Sequence, residues 1–220
     1  MTDQFLTLDS ASTGYYMERG SKFLAFAFPV NTEEECQLLL QRIRKEHPKA
    51  RHYCTALRLY PDASLERFQD DGEPSGSAGR PMLGQLIRLE LTNVYVVVVR
   101  YFGGTKLGIP GLIEAYKTST ANALEAANII QKNVLAQVQL TLSYDLFPSF
   151  LNFCKQRDIP VMEESFGDQA VLVLGFRKSV SENLLEEALH HFTQLDLPST
   201  ADYLQHLGMT ATWLSEDIIR

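Results

Sequence analysis

Residues 94–108 read VYVVVVRYFGGTKLG, and this stretch decides the architecture. Val94 to Val99 is an unbroken apolar run rich in β-branched side chains. A strand with one wet face alternates apolar and polar residues, and this one does not, so it reads as a central strand buried on both faces. It is too short to span a bilayer. Gly103 and Gly104 end it, and a glycine-rich loop, residues 103–111, leads to a helix near Leu112. Leu112, Ala115, Tyr116, Ala123 and Leu124 are its inward positions. Just upstream, residues 70–81 read DDGEPSGSAGRP, too dense in turn formers for regular structure. A second helix follows from near Gly79, with Pro81 in its first turn and Met82, Leu83, Leu86 and Ile87 at helical spacing.

Outward from this centre, Lys22 to Val30 reads as a strand. Thr32 and Glu35 have capping-box spacing ahead of a helix that Pro48 ends near His47. Arg51 to Tyr60 is a strand, with Leu65 to Gln69 as its hairpin partner. After Asn133 the pattern restarts. A strand (134–143), a helix (146–157), a hairpin (161–166 and 169–176), a helix (181–194) and a last strand within 203–213 give the order of the split βαβ, ferredoxin-like motif. The fold class expected is α+β in two domains, 1–133 and 134–220.

The chain has 220 residues, 45% hydrophobic and 21% charged, which excludes a disordered or fibrous protein. Cys36, Cys54 and Cys154 are odd in number and form no CxxC, so neither a zinc ribbon nor a disulfide scaffold is expected. The first ten residues lack a signal-peptide pattern, which points to a cytoplasmic protein without membrane association. The net charge is −7, unevenly spread: residues 1–133 hold 15 Lys+Arg against 15 Asp+Glu, the remainder 5 against 12. Any phosphate contact is therefore expected in the first part.

Both glycine loops precede helix N-termini, where free amides and the helix dipole favour anions. The candidate phosphate- or RNA-binding residues are Gly76, Ser77, Gly79 and Arg80 in the first loop, and Arg100, Tyr101, Phe102, Gly103, Gly104, Lys106 and Gly108 around the second. Arginine suits bidentate phosphate contact, and Tyr101 or Phe102 offers a stacking surface. Each glycine also has a plain reading as a turn or a close-packing position. Asp70, Asp71 and Glu73 admit three readings: a hydrogen-bonded turn, a magnesium site, or acid/base groups. His52 and Glu73 are the weak catalytic candidates. No cofactor is implied, since neither GxxxxGK[ST] nor GxGxxG occurs.

The segments DDGEPSGSAGRPML and VVVVRYFGGTKLG, with Gly20-Ser21-Lys22-Phe23 and Ala50-Arg51-His52 upstream, resemble the YigZ/Impact family across most of residues 15–130. The resemblance implies an N-terminal fold like the second domain of ribosomal protein S5, and a ferredoxin-like C-terminal domain similar to domain V of elongation factor G. Eukaryotic members are linked to control of translation initiation through a separate N-terminal domain, for which these residues leave no room. The sequence departs from the family at Pro110, commonly glycine, and at Glu114, often basic.

The function expected is a non-enzymatic, translation-associated regulator whose first domain contacts RNA, the ribosome or a translation factor through the glycine-loop face. The alternative is an enzyme acting on a phosphorylated small molecule or nucleotide in the same cleft. The sequence leaves the oligomeric state open.

Overall fold

The computed structural model describes residues 3–214 and 218–219. The chain divides into two compact units, residues 4–132 and residues 133–220 with the first three. Among the described residues, Asp3 and Asn133 therefore sit on the other side of the boundary expected from sequence. The Asp3 carbonyl accepts the Val134 N–H at 2.8 Å, and its carboxylate accepts the Ser179 N–H at 2.8 Å and the Ser179 hydroxyl. The Ser179 hydroxyl does most to hold the Asp3 carboxyl below its ordinary 3.8.

The first unit runs β1 (Gln4–Leu8), β2 (Ser12–Glu18), β3 (Ser21–Pro29), α1 (Glu33–Glu46), β4 (His52–Leu59), β5 (Leu65–Gln69), α2 (Gly79–Arg88), β6 (Val94–Tyr101) and α3 (Gly108–Glu125). Its sheet is antiparallel in the order β2-β3-β6-β4-β5. The valine run is the middle strand and is buried on both faces. Phe23, Cys54, Val96 and Val98 pack with Met82 and Leu86 of α2 and Leu112 and Tyr116 of α3. On the other face Tyr53, Leu57, Tyr95, Val97 and Val99 pack with Cys36 and Ile43 of α1. Each fully buried valine contributes roughly 1.5–3 kcal/mol by leaving water. The capping box forms in shifted form: Glu35 N–H donates to Thr32 Oγ1 at 3.2 Å, and Glu35 Oε2 accepts from the N–H of Asn31, one residue before the cap, at 2.7 Å. Helix α3 starts at Gly108, four residues before the expected Leu112.

The second unit continues with β7 (Ile129–Leu142), which crosses the boundary, then α4 (Phe147–Gln156), β8 (Val161–Phe166), β9 (Ala170–Arg177), α5 (Ser181–Thr193), α6 (Thr200–Leu207), β10 (Thr210–Trp213) and β11 (Ile218–Ile219). The antiparallel order β10-β7-β9-β8 is that of the split βαβ motif, and β1 and β11 also pair with β7 in this sheet. Phe150 and Phe153 of α4 and Leu185 and Leu189 of α5 cover one sheet face. The segment expected to hold only the last strand contains α6 as well, with Tyr203 buried in the core. Ser199 caps this helix by accepting the Asp202 N–H at 3.3 Å, and Gly208 ends it at φ 64°. Among the described residues no helix is long and apolar enough to cross a membrane.

Candidate functional site

The first glycine loop already holds an anion, and that anion is its own. Asp70 Oδ2 accepts the Gly76 N–H at 2.8 Å, while Oδ1 accepts those of Ala78 at 3.0 Å and Gly79 at 2.9 Å. Ala78, at the cap position of α2, supplies no side-chain bond. A carboxylate eight residues upstream does that work and meets the positive end of the helix dipole. The Ser77 amide and hydroxyl both donate to Pro74 O, at 3.0 and 2.6 Å. A Cβ on Gly79 would lie within 3 Å of Thr55 O and Gln69 N, so glycine lets α2 sit directly on β4 and β5. The amides of Gly76, Ser77 and Gly79, expected from sequence as phosphate donors, are thus spent inside the loop. Arg80 is exposed.

The three acids of this loop separate. The Asp71 carboxylate accepts from Arg44 Nη2 at 3.0 Å and from the Tyr53 N–H at 2.7 Å. Glu73 turns inward, its side chain 4% exposed, and its Oε1 accepts from Arg100 Nη1 at 2.5 Å and Tyr116 Oη at 2.9 Å. Among the described residues no three acidic, histidine or cysteine side chains are placed to hold a metal ion. Arg100 is 7% exposed and lies between the rings of Phe23 and Phe102, 5.4 and 5.7 Å from their centroids, with its Nε unpaired. Burial pushes the Tyr116 hydroxyl and the Cys54 thiol far up, so both stay neutral. The Cys54 thiol donates to Asp70 O at 3.0 Å. His52 Nδ1 lies 2.8 Å from Asp71 O. A carbonyl oxygen only accepts, so Nδ1 carries a proton, and Nε2 lies 3.9 Å from Glu73 Oε1.

The second loop differs in kind. Its residues from Phe102 to Lys106 are exposed, and Gly104 and Gly108 take φ of 89° and 71°. A Cβ on Gly103 would lie 2.0 Å from the carbonyl carbon of Gly20, and the Gly103 N–H donates to Ser21 Oγ at 3.1 Å. The β2–β3 turn and this loop are therefore pressed together at one sheet end. Helix α3 has no side-chain cap and no acid in its first turn, unlike the self-capped α2. Pro110 falls in that first turn, where no amide hydrogen is needed. Glu114 accepts from Thr118 at 3.0 Å and faces Lys117 at 3.6 Å, so its charge is answered on its own helix.

Phe102 is 43% exposed, with the guanidinium carbons of Arg51 and Arg100 5.9 and 5.7 Å from its ring centroid. Tyr101 faces the α1 layer, its hydroxyl 2.9 Å from His47 Nδ1, which leaves Phe102 as the exposed ring of the pair. The Glu73–Arg100 ion pair ties the first loop to the strand that feeds the second. Arg51, beside Phe102, belongs to this surface and was absent from the sequence-derived set. The adjacent Ala50-Arg51-His52 segment was the signal for it, since His52 and Arg100 are cross-strand neighbours.

A mixed α/β chain of two units with a self-capped acidic loop and an exposed glycine loop defines the class, and comparison with known proteins gives the family. The Impact N-terminal domain matches residues 19–124. A family member from Haemophilus influenzae is 32% identical over 169 residues, covering 76% of this chain and 82% of that protein. The chain belongs to the IMPACT family. Family member YvyE of Bacillus subtilis is 35% identical over 144 residues, a stretch covering 66% of each chain, just under two thirds of YvyE. A crystal structure described as a hypothetical protein matches with a TM-score of 0.67 at 25% identity, covering 98% of this chain and 100% of that one.

Proposed function

We propose that the protein is a translation-associated regulator that contacts RNA, or the ribosome or a translation factor, through the second glycine loop of its first unit. Family membership supports the translation-related part, through the link of eukaryotic members to translation initiation. The observation that supports nucleic-acid contact is Phe102, half exposed between two guanidinium groups beside an uncapped helix N-terminus. An aromatic face stacks on any base, and Arg51 and Lys106 supply phosphate contacts around it. Arg100, buried and paired with Glu73, acts as a positioning residue for Phe102. The surface is narrower than the sequence reading because Asp70 occupies the first loop's amides.

The test is RNA binding by the full chain across a salt series. Lys106→Ala should weaken binding and reduce the log–log salt slope by about 0.7 for a single strand. Phe102→Ala should cost about 1–3 kcal/mol of binding while leaving the slope unchanged. Absence of binding at low salt, or indifference to both substitutions, defeats the RNA reading.

The enzymatic alternative draws on one observation. His52 is oriented by the Asp71 carbonyl and directs Nε2 toward Glu73 while partly exposed, the placement an acid/base group requires. Turnover of phosphorylated compounds, abolished by His52→Ala, would favour it.

A further inference from the structure

The second unit contains a cavity of about 1010 Å³ whose lining includes no residue of either glycine loop. Its walls come from the C-terminal half of α4, the β8–β9 hairpin, the start of β7 and the first turns of α5. Leu135, Phe153, Ile159, Val161, Phe176 and Leu184 give it an apolar lining, and the volume is at the upper end for small-molecule sites. Helices α4 and α5 meet elsewhere along their length, where the Phe150 and Phe192 rings stack 4.8 Å apart.

The charges are what distinguish this cavity. Residues 134–220 hold 5 Lys+Arg against 12 Asp+Glu, yet three of the five cations, Lys155, Arg157 and Arg177, line this one space. The acids facing it are Asp158 and Glu187. Glu187 is neutralised by Arg157, which also lies 5.4 Å over the Phe153 ring. Asp3 interacts electrostatically with Arg177. Lys155 is exposed at the rim. A half-open apolar pocket lined by three exposed cations of an acidic unit complements a ligand with an apolar body and an anionic head.

We propose that this cavity binds an organic anion of that class, a carboxylate or phosphate carried on an apolar chain or ring. The apolar part lies against Phe153, Phe176 and Leu184, and the head pairs with Lys155 and Arg177. The cavity lies wholly within the second unit, so the proposal stands independently of the RNA reading.

The test is calorimetric titration of the full chain with decanoate, decyl phosphate and 1-decanol, with inorganic phosphate as a control. Saturable binding of decanoate or decyl phosphate is expected, whichever is tighter identifying the head group, with 1-decanol at least tenfold weaker and inorganic phosphate silent. Lys155→Glu and Arg177→Glu should each weaken the anion at least fivefold. Val180→Trp, placing a large ring on an exposed lining residue, should block binding without moving the melting temperature. No saturable binding, equal affinity for 1-decanol, or binding indifferent to both charge reversals and to Val180→Trp overturns the proposal.

Discussion

Removing the Glu73 carboxylate leaves Arg100 between two phenyl rings with no anion to answer it. Both side chains are almost fully buried, so Glu73→Ala should cost about 3–5 kcal/mol in urea unfolding, far above a surface substitution. Tyr116 would lose its acceptor too. The three thiols make a second expectation at this scale. Burial raises Cys36 to about 12 and Cys154 to about 11, from an ordinary 9.0, and raises Cys54 further still. All three should resist iodoacetamide at pH 8 in the folded protein and react on unfolding. Groups whose pKa rises on folding keep more protons in the native state. Their stabilising contribution is therefore complete below about pH 9 and lost as pH climbs toward the folded values, so the protein should unfold progressively in alkali. Residue roles were the least legible part of the sequence. Asp70, Asp71 and Glu73 are near neighbours in the chain, yet one caps a helix, one meets Arg44 and Tyr53, and one is buried against Arg100. Which way each carboxylate points depends on strands and helices far along the chain, and no local spacing records that.

Helix α2 depends on a carboxylate outside itself. Asp70→Ala removes three charge-assisted bonds and the dipole partner together, and should lower stability by about 2 kcal/mol, measured by thermal or urea denaturation. Gly103→Ala tests the second loop. Its new Cβ meets backbone rather than a movable side chain, so the cost should reach about 3 kcal/mol, the upper end for overpacking. Gly104→Ala meets nothing within 4 Å and pays only the left-handed φ, so it should cost clearly less. Elements with strong local signals were readable: the valine run, the Thr32–Glu35 box and the start of α2 at Gly79. β2 was not, because STGYYME has little apolar alternation and its partial burial comes from α3 lying on it. α6 was legible in principle, from Ser199, Asp202 and Gly208, but the apolar residues of a short helix also pass for a strand.

For the whole molecule, charge and chain division carry the expectations. Residues 4–132 hold 15 Lys+Arg against 14 Asp+Glu, whereas the rest of the chain is strongly acidic. If the first unit binds RNA, a fragment of residues 4–132 should bind more tightly than the full chain at low salt. The gap should close above about 0.15 M, where the Debye length is about 8 Å. The same fragment should show its own cooperative unfolding transition. In the full chain Asp3→Ala should lower the second unit's transition and leave the first unit's unchanged, as read by calorimetry.

The Asp3 contact also sets an order of events during synthesis. Residue 3 is polymerised more than a hundred residues before its partners Val134 and Ser179. At about 5–20 residues per second, Asp3 waits roughly 10–35 s for Ser179. The middle of the chain has by then been made and is free to close. The second unit closes by reclaiming a residue made before the whole of the first, so a bulky insertion beside Asp3 would burden the part of the protein encoded after residue 132.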